Sequence, residues 1–243
     1  MTPEQKPLAA VQLEAFYHDC FVEDQIRAFN ELIPPGRRSG ALLDVGGGCG
    51  FFAEAALRDL IPNVTVLDAD PASVAACSDR GISAILGDAL DPAIRPEYRI
   101  LSFNLILHHL VGRTENETRA LQMRALNVWS QRDLLVFVNE YIYESFVPRL
   151  SGWIIYSITS SKFLSTIGRA ASRIIPALHA NTFGVGVRFR SHAEWSELFA
   201  QAGYRVSAVR IGREEVVSPV LRLLLIKAIR RDSFLLEPLS ATT

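Results

Sequence analysis

The sequence predicts an α/β fold built on a mainly parallel sheet with helices on both faces. Three observations carry that expectation. From residue 41 onward, short apolar stretches alternate with helix-periodic ones, and the connections between them are brief. The run at 134–138 is continuously apolar, as a strand buried on both faces requires. The first predicted strand, Ala41–Val45, runs into a glycine-rich turn that opens a helix.

The elements follow in order. Residues 9–33 read as a helix, because Val22, Ile26, Phe29 and Ile33 recur at helical spacing. Pro34, Pro35 and Gly36 end it and begin a linker that reaches Gly40. After the first strand, 51–60 reads as helix and 64–67 as strand. Asp70 and Pro71 start the next helix as N-cap and first helical residue, and Gly81 closes it. Strands are predicted at 82–86 and 98–103. Thr114 and Glu117 have capping-box spacing for a helix reaching about Trp129, and 134–138 is the fifth strand. Helical runs near 147–163 and 164–175 form an insertion. Ser191 and Glu194 then make a second capping box, with Trp195, Leu198, Phe199 and Ala202 on one helix face and Gly203 as the stop. Two final strands are predicted at 204–211 and 220–228.

Composition narrows the function classes. A chain of 243 residues with 49% hydrophobic content is long enough for a sizeable core. A net charge of −1 gives no support to a nucleic-acid partner. Cys20, Cys49 and Cys77 are odd in number and form no CxxC pair, so neither a disulfide framework nor a structural zinc site is expected. The first residues lack the basic-then-apolar pattern of a secretory signal, and no run reaches the roughly 18 apolar residues of a membrane span. A cytoplasmic protein is therefore expected. Charge is unevenly placed: residues 145–193 hold no acid and carry +6, so the rest of the chain carries −7. Such a shift marks an insertion with its own task.

Ligands of open α/β sheets bind at the carboxyl ends of strands, near the switch in strand order. There the first strand delivers Asp44 and a turn with glycines at 46, 47, 48 and 50, and Cys49 is a small side chain that fits it. Phe51 stands where a dinucleotide fingerprint needs its third glycine, and the Gly-Lys-Ser/Thr of a phosphate loop is absent. Asp44, so close to the turn, would repel a pyrophosphate and suits a cofactor that bears an ammonium and a sulfonium.

Residues 42–50 resemble the first motif of the class I S-adenosylmethionine-dependent methyltransferases, small-molecule type. The resemblance covers roughly residues 41–140 and 190–228. It implies a Rossmann-like seven-stranded sheet, mainly parallel, with a helical lid insertion. It also implies S-adenosylmethionine as cofactor, held by Asp44, Gly46, Gly48 and Gly50. Asp68 and Ala69, ending a strand like the family's second, would meet the ribose, where a carboxylate accepts two bonds from a diol. Asp88 would meet the adenine amino group, and Ala89, Phe103 and Asn104 are further expected cofactor contacts. Arg99 departs from the family's usual Asp at the fourth strand. Asn104 stands where metal-dependent members carry an acid, so no metal is implied. The Asn/Asp-Pro-Pro-Tyr motif of enzymes that methylate DNA amino groups is missing. The implied layout is an N-terminal segment 1–40, a cofactor-binding core 41–144, a lid 145–190, and 191–243 completing the core.

Methyl transfer from a sulfonium mainly requires alignment of the nucleophile and exclusion of water. A base helps where the nucleophile is a hydroxyl. His108 and His109, just after the fourth strand, are the candidate bases, and Glu140 is a third catalytic candidate. Tyr141, Tyr143 and Arg149 are candidate substrate contacts. The apolar, cationic lid (Trp153, Ile154, Ile155 and Tyr156 among its residues) points to a largely apolar or aromatic metabolite, with Arg149, Arg169, Arg173 or Arg188 available for an anionic group. His179 and Asn181 read as surface residues. The expected activity is O- or N-methylation. The alternatives are a non-catalytic methyltransferase-like binding protein and a nicotinamide-dependent reductase. A homodimer and a membrane contact through the basic apolar insert remain open at the level of sequence.

Overall fold

The computed structural model describes residues 19–92, 97–130, 133–160 and 186–239. Seven strands form one sheet: β1 Ala41–Val45, β2 Val64–Asp68, β3 Ser83–Leu86, β4 Tyr98–Asn104, β5 Leu135–Ser145, β6 Tyr204–Arg210 and β7 Ile226–Pro238. Their order is β3-β2-β1-β4-β5-β7-β6. The first five run parallel, while β7 lies antiparallel between β5 and β6. The strand order reverses at β1 and β4, and this opens the ligand crevice at their carboxyl ends.

The helices are α1 Asp19–Leu32, α2 Phe51–Asp59, α3 Pro71–Asp79, α4 Glu115–Asn127, α5 Leu150–Ser160, α6 His192–Gln201 and α7 Pro219–Leu223. Alternate residues of the central strands serve two cores. Leu43, Val45, Leu101, Phe103, Val136 and Val138 face α4 and α6, where Trp129, Trp195 and Phe199 pack. Leu42, Val66, Ile100, Leu135 and Phe137 face α1 and α2, meeting Phe29, Ile33 and Phe52. Phe29 packs edge-on against both Phe52 and Phe137, at 5.6 and 5.2 Å between ring centres. No described helix is long and apolar enough to cross a membrane.

The start signals act as read. The Asp70 carboxylate accepts from the N–H groups of Ala72 and Ser73, and Ser191 with Glu194 forms a complete capping box. Thr114 makes only half of one: its hydroxyl accepts from Glu117 N–H, but the Glu117 carboxylate turns to Arg113 N–H at 2.7 Å. Residues 9–18 of the expected first helix, and in the insertion the end of the 147–163 run, the 164–175 run, His179 and Asn181, lie outside the described residues.

Two strands differ from expectation. The run 220–228 is not one strand. Ser218 caps a short helix, α7, with Pro219 in its first turn, and β7 begins only at Ile226. An apolar run fits either element, and the capping chemistry decides. β5 extends seven residues past Val138. Asn139 is the last residue paired with β4, so Glu140–Ser145 project beyond the parallel sheet with only β7 beside them in it. The chain returning from the insert fills the vacated edge: Tyr143 N–H donates to Arg190 O at 3.0 Å, and Ile142 and Arg190 form a parallel bridge.

Candidate cofactor cleft and His–Glu pair

Three sharp reversals after β1 put Gly46, Gly48 and Gly50 at φ of 68°, 55° and 79°. A Cβ on Gly46 would lie 2.6 Å from the Ile106 side chain, and one on Gly47 would overlap a carboxylate oxygen of Asp44. The turn is therefore glycine both for its backbone and for close approach. Beneath it, Asp44 is wholly buried. Its Oδ1 accepts from Ser102 Oγ at 2.6 Å and Asn104 Nδ2 at 3.1 Å, while Oδ2 has no partner. Asn104 Oδ1 is likewise buried and unpaired. Burial drives the Asp44 carboxyl up to about 6, against the two hydrogen bonds, which oppose it. Two acceptor oxygens with nothing to accept from suit a cationic ligand group.

Asp68 ends β2 and braces the same turn, accepting from Gly48 N–H and Asp70 N–H at 2.9 Å each. Its burial also raises its carboxyl above the usual range. Asp88 is exposed beyond β3 and folds its own turn by accepting from Leu90 N–H. Ala69 and Ala89 flank these acids on the chain. Phe103 is wholly buried in the α4/α6 core. A ring committed to the core leaves only backbone to offer a ligand at this strand end. Sequence reading passed over Cys77, whose thiol donates to Gly48 O at 3.2 Å and props the turn from α3.

Past β4, a 3₁₀ turn at Leu107–His109 carries both histidines. His108 Nδ1 meets Glu140 Oε2 at 2.7 Å, and its Nε2 has no hydrogen-bond partner among the described residues. Glu140 lies within β5, fully buried. Its Oε1 accepts from Leu107 N–H at 2.7 Å and His108 N–H at 3.3 Å, and Oε2 also accepts from Tyr141 N–H. Both Glu140 oxygens are thus engaged within the protein, and Oε2 fixes the orientation of the His108 ring. His109 is held well below the usual imidazole range by burial and by its neighbour His108, so it stays neutral.

Tyr141 and Tyr143 project from the β5 extension. Tyr143 stacks on Phe189 at 4.3 Å, and Phe189 also packs 4.9 Å from the His108 ring. Phe189 was not singled out from sequence, because it belongs to a non-periodic return segment. Two of the candidate anion-binding arginines are otherwise engaged. Arg149 is exposed and pairs with Glu197 at 2.9 Å. Arg188 is buried between Glu115 and Glu194, which corrects its expected role toward a substrate anion. Arg169 and Arg173 lie outside the described residues.

No family model matches the chain, and no curated protein matches it by sequence. Solved structures do. A mitomycin 7-O-methyltransferase aligns over 94% of this chain and 54% of its own, at 16% identity and a TM-score of 0.55. An O-methyltransferase of neocarzinostatin biosynthesis, solved with S-adenosyl-L-homocysteine and 1,4-dihydroxy-2-naphthoic acid, aligns over 90% and 56%, at 17% identity and 0.53. The chain thus spans about half the length of these two proteins. A [4+2]-cyclase aligns over 90% and 81%, at 14% identity and 0.56. The chain has the Rossmann-like fold of the class I S-adenosylmethionine-dependent methyltransferases.

Proposed function

We propose that the chain is an S-adenosylmethionine-dependent methyltransferase that acts on a hydroxyl or amine of a small, largely apolar or aromatic metabolite. The observation that carries the cofactor is the unpartnered, buried oxygen of Asp44 under a three-glycine turn. An ammonium supplies the missing donor there, and Asp68 retains lone pairs for a ribose diol. Gly46, Gly48 and Gly50 would line that turn, with Asp88 and Ala89 at the adenine end. The bound cofactor supplies a methyl group already activated by cationic sulfur.

The remaining work falls to this chain's residues. Glu140 fixes the His108 proton on Nδ1, leaving the Nε2 lone pair to take a proton from an acceptor hydroxyl. That arrangement favours an oxygen nucleophile over an amine. Tyr143, Phe189 and Tyr141 offer aromatic faces on which a planar acceptor would stack. One solved structure of this fold is a [4+2]-cyclase, which supports a second reading, in which the fold serves an activity other than methyl transfer.

Calorimetric titration with S-adenosylmethionine and S-adenosylhomocysteine tests the first step. Asp68→Ala should weaken binding by about 1–3 kcal/mol, the range for a lost charged hydrogen bond. A screen of hydroxylated aromatic acceptors for S-adenosylhomocysteine release tests the second. Well-folded wild-type protein that binds neither cofactor form would overturn the enzyme reading. Binding without release of product from any acceptor would favour the second.

A further inference from the structure

The 3₁₀ turn that carries His108 is held from three sides. β5 supplies the Glu140 carboxylate to the N–H groups of Leu107 and His108. The arm returning from the insert supplies Arg188 N–H, which donates to His108 O at 2.9 Å. The third tether is Gln122 of α4, whose Nε2 donates to Leu107 O at 3.0 Å. Gln122 is fully buried, and a buried amide is costly unless its groups are bonded. Its oxygen accepts from Arg190 Nε at 2.9 Å. Arg190 in turn donates to Glu115 Oε1 at 2.7 Å, and the other oxygen of Glu115 takes Arg188 at 2.8 Å. Glu115 and Gln122 stand seven residues apart on α4, so they share the face turned to the return arm.

We propose that Gln122 is a positioning residue. It couples the return arm, pinned by its buried ion pairs, to the carbonyl of Leu107, and thereby holds the His108 ring against Glu140. This rests on the reading of His108 as the base. A single amide reads both partners: its donor end fixes the turn and its acceptor end fixes the arm. Displacing the arm would loosen the imidazole without touching Asp44 or Asp68. The turn and the return arm would then hold together, so that His108 is presented correctly only when the arm is seated.

Long-range nitrogen–proton NMR of histidine-labelled protein tests the relay. In wild type His108 should show one neutral tautomer, protonated on Nδ1. Gln122→Met, which removes both bonds at similar volume, should give a mixture of tautomers and roughly tenfold faster exchange of the Nδ1 proton. Gln122→Glu keeps the acceptor for Arg190 but loses the donor for Leu107, and it should do the same. Should the Met variant not fold, the Glu variant decides. A wild-type tautomer and exchange rate in the folded variants would overturn the proposal. S-adenosylhomocysteine affinity should be unchanged in both, and with an acceptor in hand kcat should fall while KM holds. The tautomer readout needs neither cofactor nor acceptor, so it judges the relay separately from methyl transfer.

Discussion

Asp44 makes the apo fold sensitive to pH in a direction opposite to that of most carboxylates. Its carboxyl rises from 3.8 to about 6 on burial, so the folded chain binds a proton more tightly than the unfolded chain. Between those values the folded state holds more protons, and stability falls as pH rises. Above about 6 the full penalty is in place. At about 1.4 kcal/mol per pH unit the rise amounts to about 3 kcal/mol. Asp44→Asn retains an acceptor for Ser102 and Asn104 but never ionises. Urea melts of both proteins from pH 4 to pH 8 should therefore show the variant gaining about 2 kcal/mol relative to wild type, mostly between pH 4 and 6. Any constant cost of the unpaired amide cancels in that change with pH. Cofactor reverses the preference, because a cation beside Asp44 favours the ionised form. Below pH 6 the wild-type affinity for S-adenosylmethionine should drop by up to about tenfold per pH unit, with proton release on binding, and the variant should lose both effects. A stability difference that is flat across this range would refute the argument from burial, and a pH-independent affinity would refute the placement of the cation.

Three further perturbations probe the turn, the pair and the scaffold. Gly46→Ala should cost about 1–2 kcal/mol for the left-handed backbone, add the overlap with Ile106, and abolish cofactor binding. Gly81→Ala, equally left-handed but with open space around it, should lower Tm while leaving binding intact; equal loss of binding would show that the turn is not special. Glu140→Gln lets an amide donate to Nδ1 and so moves the proton to Nε2. Turnover should fall by about 10²–10⁴ with cofactor affinity retained, whereas retained turnover excludes His108 as the base. Ser191→Ala removes the α6 cap, should cost about 0.5–2 kcal/mol in chemical melts, and should leave the cofactor isotherm unchanged.

Much of the fold was legible because its signals are local. The Asp70–Pro71 start and the Ser191–Glu194 box each complete their bonds within a few residues, and the strand–turn–helix at 41–59 shows as one contiguous pattern. β7 and the β5 extension were not legible for the opposite reason. Arg230, Arg231 and Asp232 are a charged run with no apolar strand signal, yet Asp232 is wholly buried. It accepts from His192 and Gly212, which come from other elements, as well as from Arg230. Asn139 and Glu140 likewise read as the start of a loop. Asn139 is satisfied by Ser233 and Gln25, and Glu140 by the histidine turn. A polar residue deep in a strand looks like a loop until its distant partner is known.

The site divides along the same line. Asp44 and the glycines announce themselves at the end of β1 and Asp68 at the end of β2, whereas Phe189 and Gln122 act only through residues far away in the chain. The insert's charge shows how this misleads. Its +6 pointed to a cationic surface awaiting an anion, but Arg188 and Arg190 are among the most deeply buried groups in the described chain, at 3% and 1% exposure. Their carboxylates, Glu115 above all, lie up to 75 residues away in sequence. An acid-free insert that returns to a core already holding its counter-ions must appear cationic in any local count. Breaking one partner of such a pair strands the other charge in the interior, which ties the seating of the arm to the core helices. Charge in a window therefore records where the insert docks, and the anion that Glu115 supplies is the protein's own.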